Sequence, residues 1–315
     1  MGTKPSRSFI LVFLILCTPW FFPFHAGASE EDLKDLRPSI LAGTWYPGSR
    51  KALGKNVQRL LSTIDPPPLE GTLKALVVPH AGYRYSGHVA AHAYALLQQR
   101  QFRRIILLGP SHRTPFKGSS VNLQSGYETP LGIVPVDQEM GRKILNAGTH
   151  IRWFKQAHAL EHSLEIQLPF LQTVLDNFKI VPILMGQQDL ESCINLAHSL
   201  VGILKNTQDT LLIASTDLSH FHQYSQAKAL DLKFIEQVRR LNPQGLAKDL
   251  RAEKCEACGG GPVITIMLAA QALGANRAEI LNYANSGDVT GDHSRVVGYL
   301  SAALIRSSGT GPHPR

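Results

Sequence analysis

This chain predicts an α/β fold: a single domain with a mainly parallel or mixed central sheet flanked by helices. Short apolar runs of strand length alternate with helical patterns from about residue 75 onward, as expected of strands joined by helical crossovers. Runs such as Ile105-Ile106-Leu107-Leu108 and Leu211-Leu212-Ile213-Ala214 are apolar throughout, the pattern of strands covered on both faces. Three such runs lead into a histidine, at His80, His112 and His220. In open α/β sheets the crevice beyond the carboxyl ends of parallel strands is where ligands gather.

The elements follow in order. Ser29 to Pro38 reads as a polar linker, and Ala75–Val78 as the first strand. A Gly-Tyr loop leads to a helical pattern from His88 to Arg100, then the strand Arg104–Leu108. Pro110 to Gly132 is rich in turn residues, with β-like stretches at Ser120–Leu123 and Ile133–Val136. Helices are expected over Gln138–Asn146 and His162–Leu175, the latter with Leu164, Leu168, Leu171 and Leu175 on one stripe. The strand Lys179–Met185, a helix over Leu190–Leu204 and the strand Thr210–Ala214 come next, then a helix over Ser225–Leu241. Pro262 opens the apolar helix Val263–Leu273, a position where proline costs nothing. Glu279–Ala284 and Arg295–Ile305 read as two closing strands, with the turn-rich Ser286–Asp292 between them.

Composition narrows the function classes. With 315 residues and 43% apolar content the chain can build a full core. Lys4 and Arg7 precede the apolar run Phe9–Phe24 and the small residues Ala26-Gly27-Ala28, the layout of a secretory signal over residues 1–28. The run is shorter than a bilayer span and carries two prolines, so export with cleavage, to a periplasmic or secreted location, is expected; an uncleaved membrane anchor is the alternative. Removing Lys4 and Arg7 leaves 30 basic against 24 acidic residues, a modest excess of +6. No basic run or aromatic-basic alternation points to nucleic acid. Three cysteines remain, Cys193, Cys255 and Cys258, too few for a disulfide-stapled scaffold. Nucleophile elbow, Walker loop and dinucleotide fingerprint are all missing, so hydride transfer and nucleotide hydrolysis lack their usual marks.

The candidate chemistry lies at the strand ends. Imidazole is the commonest metal ligand and titrates near neutral pH. His80 and His112 are candidate ligands, although a strand-end histidine bonded to nearby backbone is the plainer reading of each. Asp217 and His220, three apart, can share a face of a helical turn and act as acid/base and orienting carboxylate. Cys258 precedes an expected helix N-terminus, where the dipole favours thiolate. It is either a metal ligand or, with Cys255, a disulfide or redox pair. His158, Glu161, His162 and Glu165 form a further cluster, explicable by capping or by a site role. His88 and His92 have helical spacing but lack the zinc-protease glutamate, and are expected to be structural. Tyr83 and Arg84 suit either turn packing or contact with an anionic or aromatic ligand.

Taken together, Ala42-Gly43-Thr44-Trp45-Tyr46-Pro47, Val78-Pro79-His80-Ala81-Gly82-Tyr83, Gly109-Pro110-Ser111-His112, Glu161-His162-Ser163-Leu164-Glu165, Ser215-Thr216-Asp217-Leu218-Ser219-His220, Cys258-Gly259 and Ser286-Gly287-Asp288 through Tyr299 resemble the Memo family, also called AmmeMemoRadiSam system protein B. The resemblance implies a Memo-like domain over residues 39–306 followed by a disordered tail, 307–315. It implies a fold similar to the protocatechuate-type (LigB-like) extradiol dioxygenases, with metal ligands at His80, His112 and Cys258 and with His220 and Asp217 lining the cleft as catalytic groups. Iron is the expected cofactor, with copper or zinc as alternatives, in a redox or dioxygenase-like role. A thiolate ligand is softer than a carboxylate and shifts the preference toward copper, zinc or iron–thiolate chemistry. A non-catalytic metal chaperone, or a protein that binds a peptide or small ligand in the same cleft, is the alternative function. The resemblance also implies functional association with AMMECR-type and radical SAM proteins.

Overall fold

Alternation of buried side chains along the central strands shows how the molecule is layered. The computed structural model describes residues 1–2, 35–207 and 209–307. Most of the expected signal segment, all but the last few residues of the expected linker, and the tail from residue 308 lie outside the described residues. In chain order the elements are β1 (Leu36–Arg37), α1 (Arg50–Ser62), β2 (Thr72–Val78), α2 (Tyr83–Ala95), β3 (Arg104–Pro110), β4 (Ser119–Val121), β5 (Gly126–Thr129) and β6 (Gly132–Pro135). There follow α3 (Gln138–Asn146), β7 (Ile151–Arg152), α4 (Lys155–Ala159), α5 (Leu168–Val174), β8 (Lys179–Met185), α6 (Leu190–Leu204), β9 (Thr210–Ser215) and β10 (His220–His222). The chain closes with α7 (Tyr224–Arg239), α8 (Pro243–Arg251), α9 (Gly260–Ala272), β11 (Arg277–Asn285), α10 (Ser286–Thr290) and β12 (Val296–Arg306).

Nine strands form the main sheet, in the order β10-β12-β2-β9-β3-β8-β4-β7 with β11 on β12. Its centre, β2-β9-β3-β8, is parallel throughout, while β12 and β4 flank it antiparallel. The sheet is therefore mixed, with a parallel heart. Leu76, Val78, Ile105, Leu107, Leu211 and Ile213 face one layer, built from α1, α2 and α5. Their neighbours Ala75, Val77, Ile106, Leu108, Leu212 and Ala214 face the other, built from α3 and α6 to α9. Side chains of a strand point alternately to its two faces, so continuous apolarity is what two helical layers demand.

Several expectations change. The linker ends early: Leu36 and Arg37 form β1 beside β5, because Arg37 is drawn into a buried ion pair with Glu165. The helix after the Gly-Tyr loop begins at Tyr83 rather than His88 and ends at Ala95. The expected helix His162–Leu175 breaks into a 3₁₀ turn, Glu165–Gln167, and α5. Pro169 has no N–H to give to a carbonyl one turn back, so the α-helix starts at its doorstep. Ser286–Thr290, expected as loop, closes into a single helical turn through a capping box between Asn285 and Asp288. No element is expected over Arg50–Ser62 or Pro243–Arg251, yet both are helices with apolar stripes, the first burying Leu53, Val57, Leu60 and Leu61.

Candidate metal centre

The carboxyl ends of β2, β3 and β9 open on one side of the sheet, and each hands the chain to a polar residue. His80 follows β2, His112 follows β3, and Asp217 follows β9. Cys258 arrives from the opposite direction, two residues ahead of α9. Ligand atoms of His80, His112 and Cys258 all lie within 4.8 Å of one another. The cysteine sulfur is 3.1 Å from His80 Nε2.

Hydrogen bonds set the ring tautomers. The Ser215 hydroxyl donates to the Ser163 carbonyl at 2.6 Å and so offers its other neighbours lone pairs only. It accepts from Gln167 Nε2 at 2.8 Å and from His80 Nδ1 at 3.0 Å. The proton of His80 therefore sits on Nδ1, and the Nε2 lone pair faces the sulfur. His112 is held likewise: Glu161 accepts from its Nδ1 at 2.9 Å and from its backbone N–H at 2.6 Å. His220 donates Nδ1–H to the Leu218 carbonyl at 2.7 Å. A second partner that fixes the far nitrogen is how metal-binding imidazoles are usually oriented.

Burial favours the neutral form of these groups, but does not prevail at Glu161. It pushes His80 well below the usual histidine range, helped by the neighbouring rings of His162, His112 and His220. Burial also lowers His220. It pulls the Glu161 carboxyl up, but the hydrogen bond and charge of His112, with His162, outweigh this and hold it at about 2. Asp217 is raised to about 7 by burial, against the N–H groups of His80 and Ala81. The Cys258 thiol goes up, by burial and the nearby Asp217. A thiolate favoured by the helix dipole is the expectation from sequence; desolvation of the sulfur outweighs the dipole and raises the thiol instead.

The backbone brings the sulfur in. Asp217 N–H donates to Cys258 Sγ at 3.3 Å, and Cys258 N–H donates to the Asp217 carbonyl at 3.2 Å. At Gly259 a Cβ would lie 2.4 Å from the Ser215 carbonyl oxygen, so only glycine lets α9 begin this close to β9. Gln188 Nε2 donates to the Cys258 carbonyl at 3.0 Å, and its Oε1 accepts from Gly261 N–H at 2.8 Å. Beside the sulfur opens a cleft of about 460 Å³, lined by Gln188, His220, Glu256, Cys258 and the glycines 260 and 261.

Asp217 and His220 do not share a helical turn. Leu218 N–H bonds the Gly298 carbonyl and Gly298 N–H bonds the Ser219 carbonyl, so the segment pairs with β12 instead of coiling. Asp217 Oδ1 then accepts from His80 N–H at 2.8 Å and orients that segment, while His220 takes its orientation from Leu218. Cys255 and Cys258 are both free thiols; Cys255 is buried and lines the same cleft without a bond to Cys258. His88 and His92 lie on α2, outside it.

The cluster at residues 158–165 divides in two. Glu161 supports His112, whereas Glu165 turns inward. It pairs with Arg37 at 2.5 Å and accepts from Ser39, Ile40, Leu41 and Tyr46. Arg37 also donates to the carbonyls of His158 and Glu161, at 2.7 and 2.6 Å, and so fixes the segment that presents Glu161. His162 lies against the site, its ring 4.4 Å from that of His112, 5.3 Å from His80 and 4.6 Å from Trp45. Arg37, Gln167 and Gln188 carry no local motif, and sequence reasoning misses them; Ser215 lies in a quoted motif, but its role as acceptor for His80 is visible only in the fold.

A family model described as Memo-like protein matches residues 37–303. The chain belongs to this family. A MEMO1 family protein of Methanothermobacter thermautotrophicus is 36% identical over 271 residues, covering 84% of this chain and 98% of that protein. Those of Methanopyrus kandleri and Methanosarcina barkeri are 35% and 37% identical, each over 86% of this chain and 99% of their own length. Among solved structures, an uncharacterized protein of Escherichia coli K12 superposes with a TM-score of 0.52 at 11% identity, covering 74% of this chain and all of that one. That likeness concerns the fold alone. Membership agrees with the α/β architecture and with a His/Cys group able to hold a metal ion. Among the described residues no helix is long and apolar enough to cross a membrane.

Proposed function

We propose that this Memo protein is a metal-binding redox protein whose ion is held by His80 Nε2, His112 Nε2 and Cys258 Sγ, with iron as the first choice and copper as the second. The observation that carries the reading is the approach of three donors from distant segments, with the far nitrogen of each ligand imidazole already tied to an acceptor. Metal–nitrogen and metal–sulfur bonds of about 2.0 and 2.3 Å suit such a spacing. Two imidazoles with one sulfur form a borderline-to-soft set, which accepts iron, copper or zinc and argues against the hard carboxylate triad of ring-cleaving oxygenases. The ion, when bound, would supply a redox couple.

This chain's own groups would do the rest. His80, His112 and Cys258 bind. Ser215 and Glu161 orient the two rings. His220 keeps a free Nε2 at the cleft and would give or take a proton there, while Asp217 holds the His80 backbone. The test is metal content after anaerobic purification, for wild type, His80→Ala and Cys258→Ser. Both variants should lose iron or copper to a tenth or less of the wild-type content; unchanged content in both removes the ligand set.

The cleft beside the sulfur favours a second reading, a metal chaperone or ligand-binding protein, because an accessible thiol can pass a soft ion to a partner. Transfer of metal to an apo acceptor without turnover supports that reading. Export to the periplasm or exterior through residues 1–28, and association with AMMECR-type and radical SAM proteins, belong to the same proposal. Cell fractionation and co-purification test them.

A further inference from the structure

A second group of donors adjoins the first and shares one ring with it. His112, Glu161 and His162 also offer ligand atoms within 4.8 Å of one another. Glu161 Oε1 is 2.9 Å from His112 Nδ1 and 3.4 Å from His162 Nδ1. The two rings lie nearly parallel, 24° apart, which brings both Nδ1 atoms to the same carboxylate oxygen. Among the described residues, His162 Nδ1 is buried and finds no hydrogen-bond partner. Buried ring nitrogens normally find one, because an unpaired polar atom keeps its full desolvation cost. Trp45 packs on the other side of His162 and holds the ring in place.

We propose that His112 Nδ1, the Glu161 carboxylate and His162 Nδ1 form a second site, for a divalent transition-metal cation, bridged to the first through the His112 imidazole. The donor set is two nitrogens and one carboxylate oxygen, which suits zinc, iron(II) or cobalt(II). On binding, the cation takes the place of the proton that His112 gives to Glu161, and that proton leaves to water. His112 then holds one ion on each nitrogen. In the absence of the second ion the same carboxylate serves as the orienting partner of His112, which explains why the sequence Glu161-His162 looks like simple capping. The inference rests on the reading of His80, His112 and Cys258 as the first site only through the shared ring.

The experiment is equilibrium dialysis of the folded, metal-stripped protein against Co²⁺ and, separately, Zn²⁺, with stoichiometry read by mass spectrometry. With Co²⁺ the thiolate-to-cobalt charge-transfer absorption marks the first site alone. Wild type should take up two equivalents. His162→Gln should take up one and keep the charge-transfer band, whereas Glu161→Gln, which also removes the orienting partner of His112, should lose the second equivalent and weaken the first. The His80→Ala/Cys258→Ser double variant should keep one equivalent without the band. Uptake of a single equivalent by wild type, or of two by both His162→Gln and Glu161→Gln, overturns the second site. Failure of the first site shows separately, as absence of the charge-transfer band in wild type.

Discussion

At the scale of single residues, the weight falls on groups that touch no ligand. Ser215 can accept from His80 Nδ1 because its own proton is committed to Ser163. Ser215→Ala should therefore free the His80 ring and lower metal affinity about 10–100-fold, measured by competition with a chelator, with little change in fold. Arg37 and Glu165 form a fully buried pair. Arg37→Met leaves a carboxylate unpaired in the core and should cost about 3–5 kcal/mol in urea unfolding; the Arg37→Met/Glu165→Gln double variant should recover part of that loss. Arg37 was invisible in sequence because its partner lies 128 positions away, and a lone arginine after a polar stretch reads as linker. His80, His112 and Cys258 were legible because each sits at the end of a strand or the start of a helix, where local pattern and site coincide. The roles of Asp217 and His220 were less so: their spacing suggests a turn, but pairing with β12 overrides it.

At the scale of elements, the apolar runs announced the central strands, and what they could not announce was order. Nothing local to Leu211–Ala214 says that β9 inserts between β2 and β3. The short helix α5 shows the opposite limit, since a regular leucine stripe runs straight across Pro169 while the helix does not. The junction of α9 with the end of β9 is the most sensitive contact of this kind. A Cβ at Gly259 would also lie 2.7 Å from Thr216 Cβ. Gly259→Ala should push the start of α9 outward, cost about 1–3 kcal/mol by overpacking, and carry Cys258 away from His80. Thermal unfolding and metal content should fall together, whereas Gly202→Ala, where a Cβ meets nothing within 4 Å, should leave both unchanged.

At the scale of the whole molecule, buried histidines set the response to acid. His158 is fully buried on Ser120 and Tyr127, and burial, with Arg37 nearby, lowers it to about 3. The unfolded chain takes up this proton near pH 6.5 while the folded chain refuses it until about 3. Stability should thus be full above about pH 6.5 and decline as the pH falls toward 3, by at most about 1.4 kcal/mol per pH unit for this one group. His162, lowered to about 4 chiefly by burial, adds in the same direction. Denaturant midpoints at stepped pH should show the decline, and His158→Gln should make it shallower by about one proton. The same pH slope in wild type and His158→Gln would contradict the assignment, because Asp217, raised by burial, works in the opposite direction in both.

Cys258 and His80 meet across 178 positions of sequence, and β12, the last strand, pairs with β2 near the first. Until β12 is made, β2 presents a bare row of amides and carbonyls. On the proposed ligand set, loading would follow closure of the sheet, and such non-local closure is slow. An ion held as proposed would then have to reach a molecule in which the first and last strands of the main sheet are already joined.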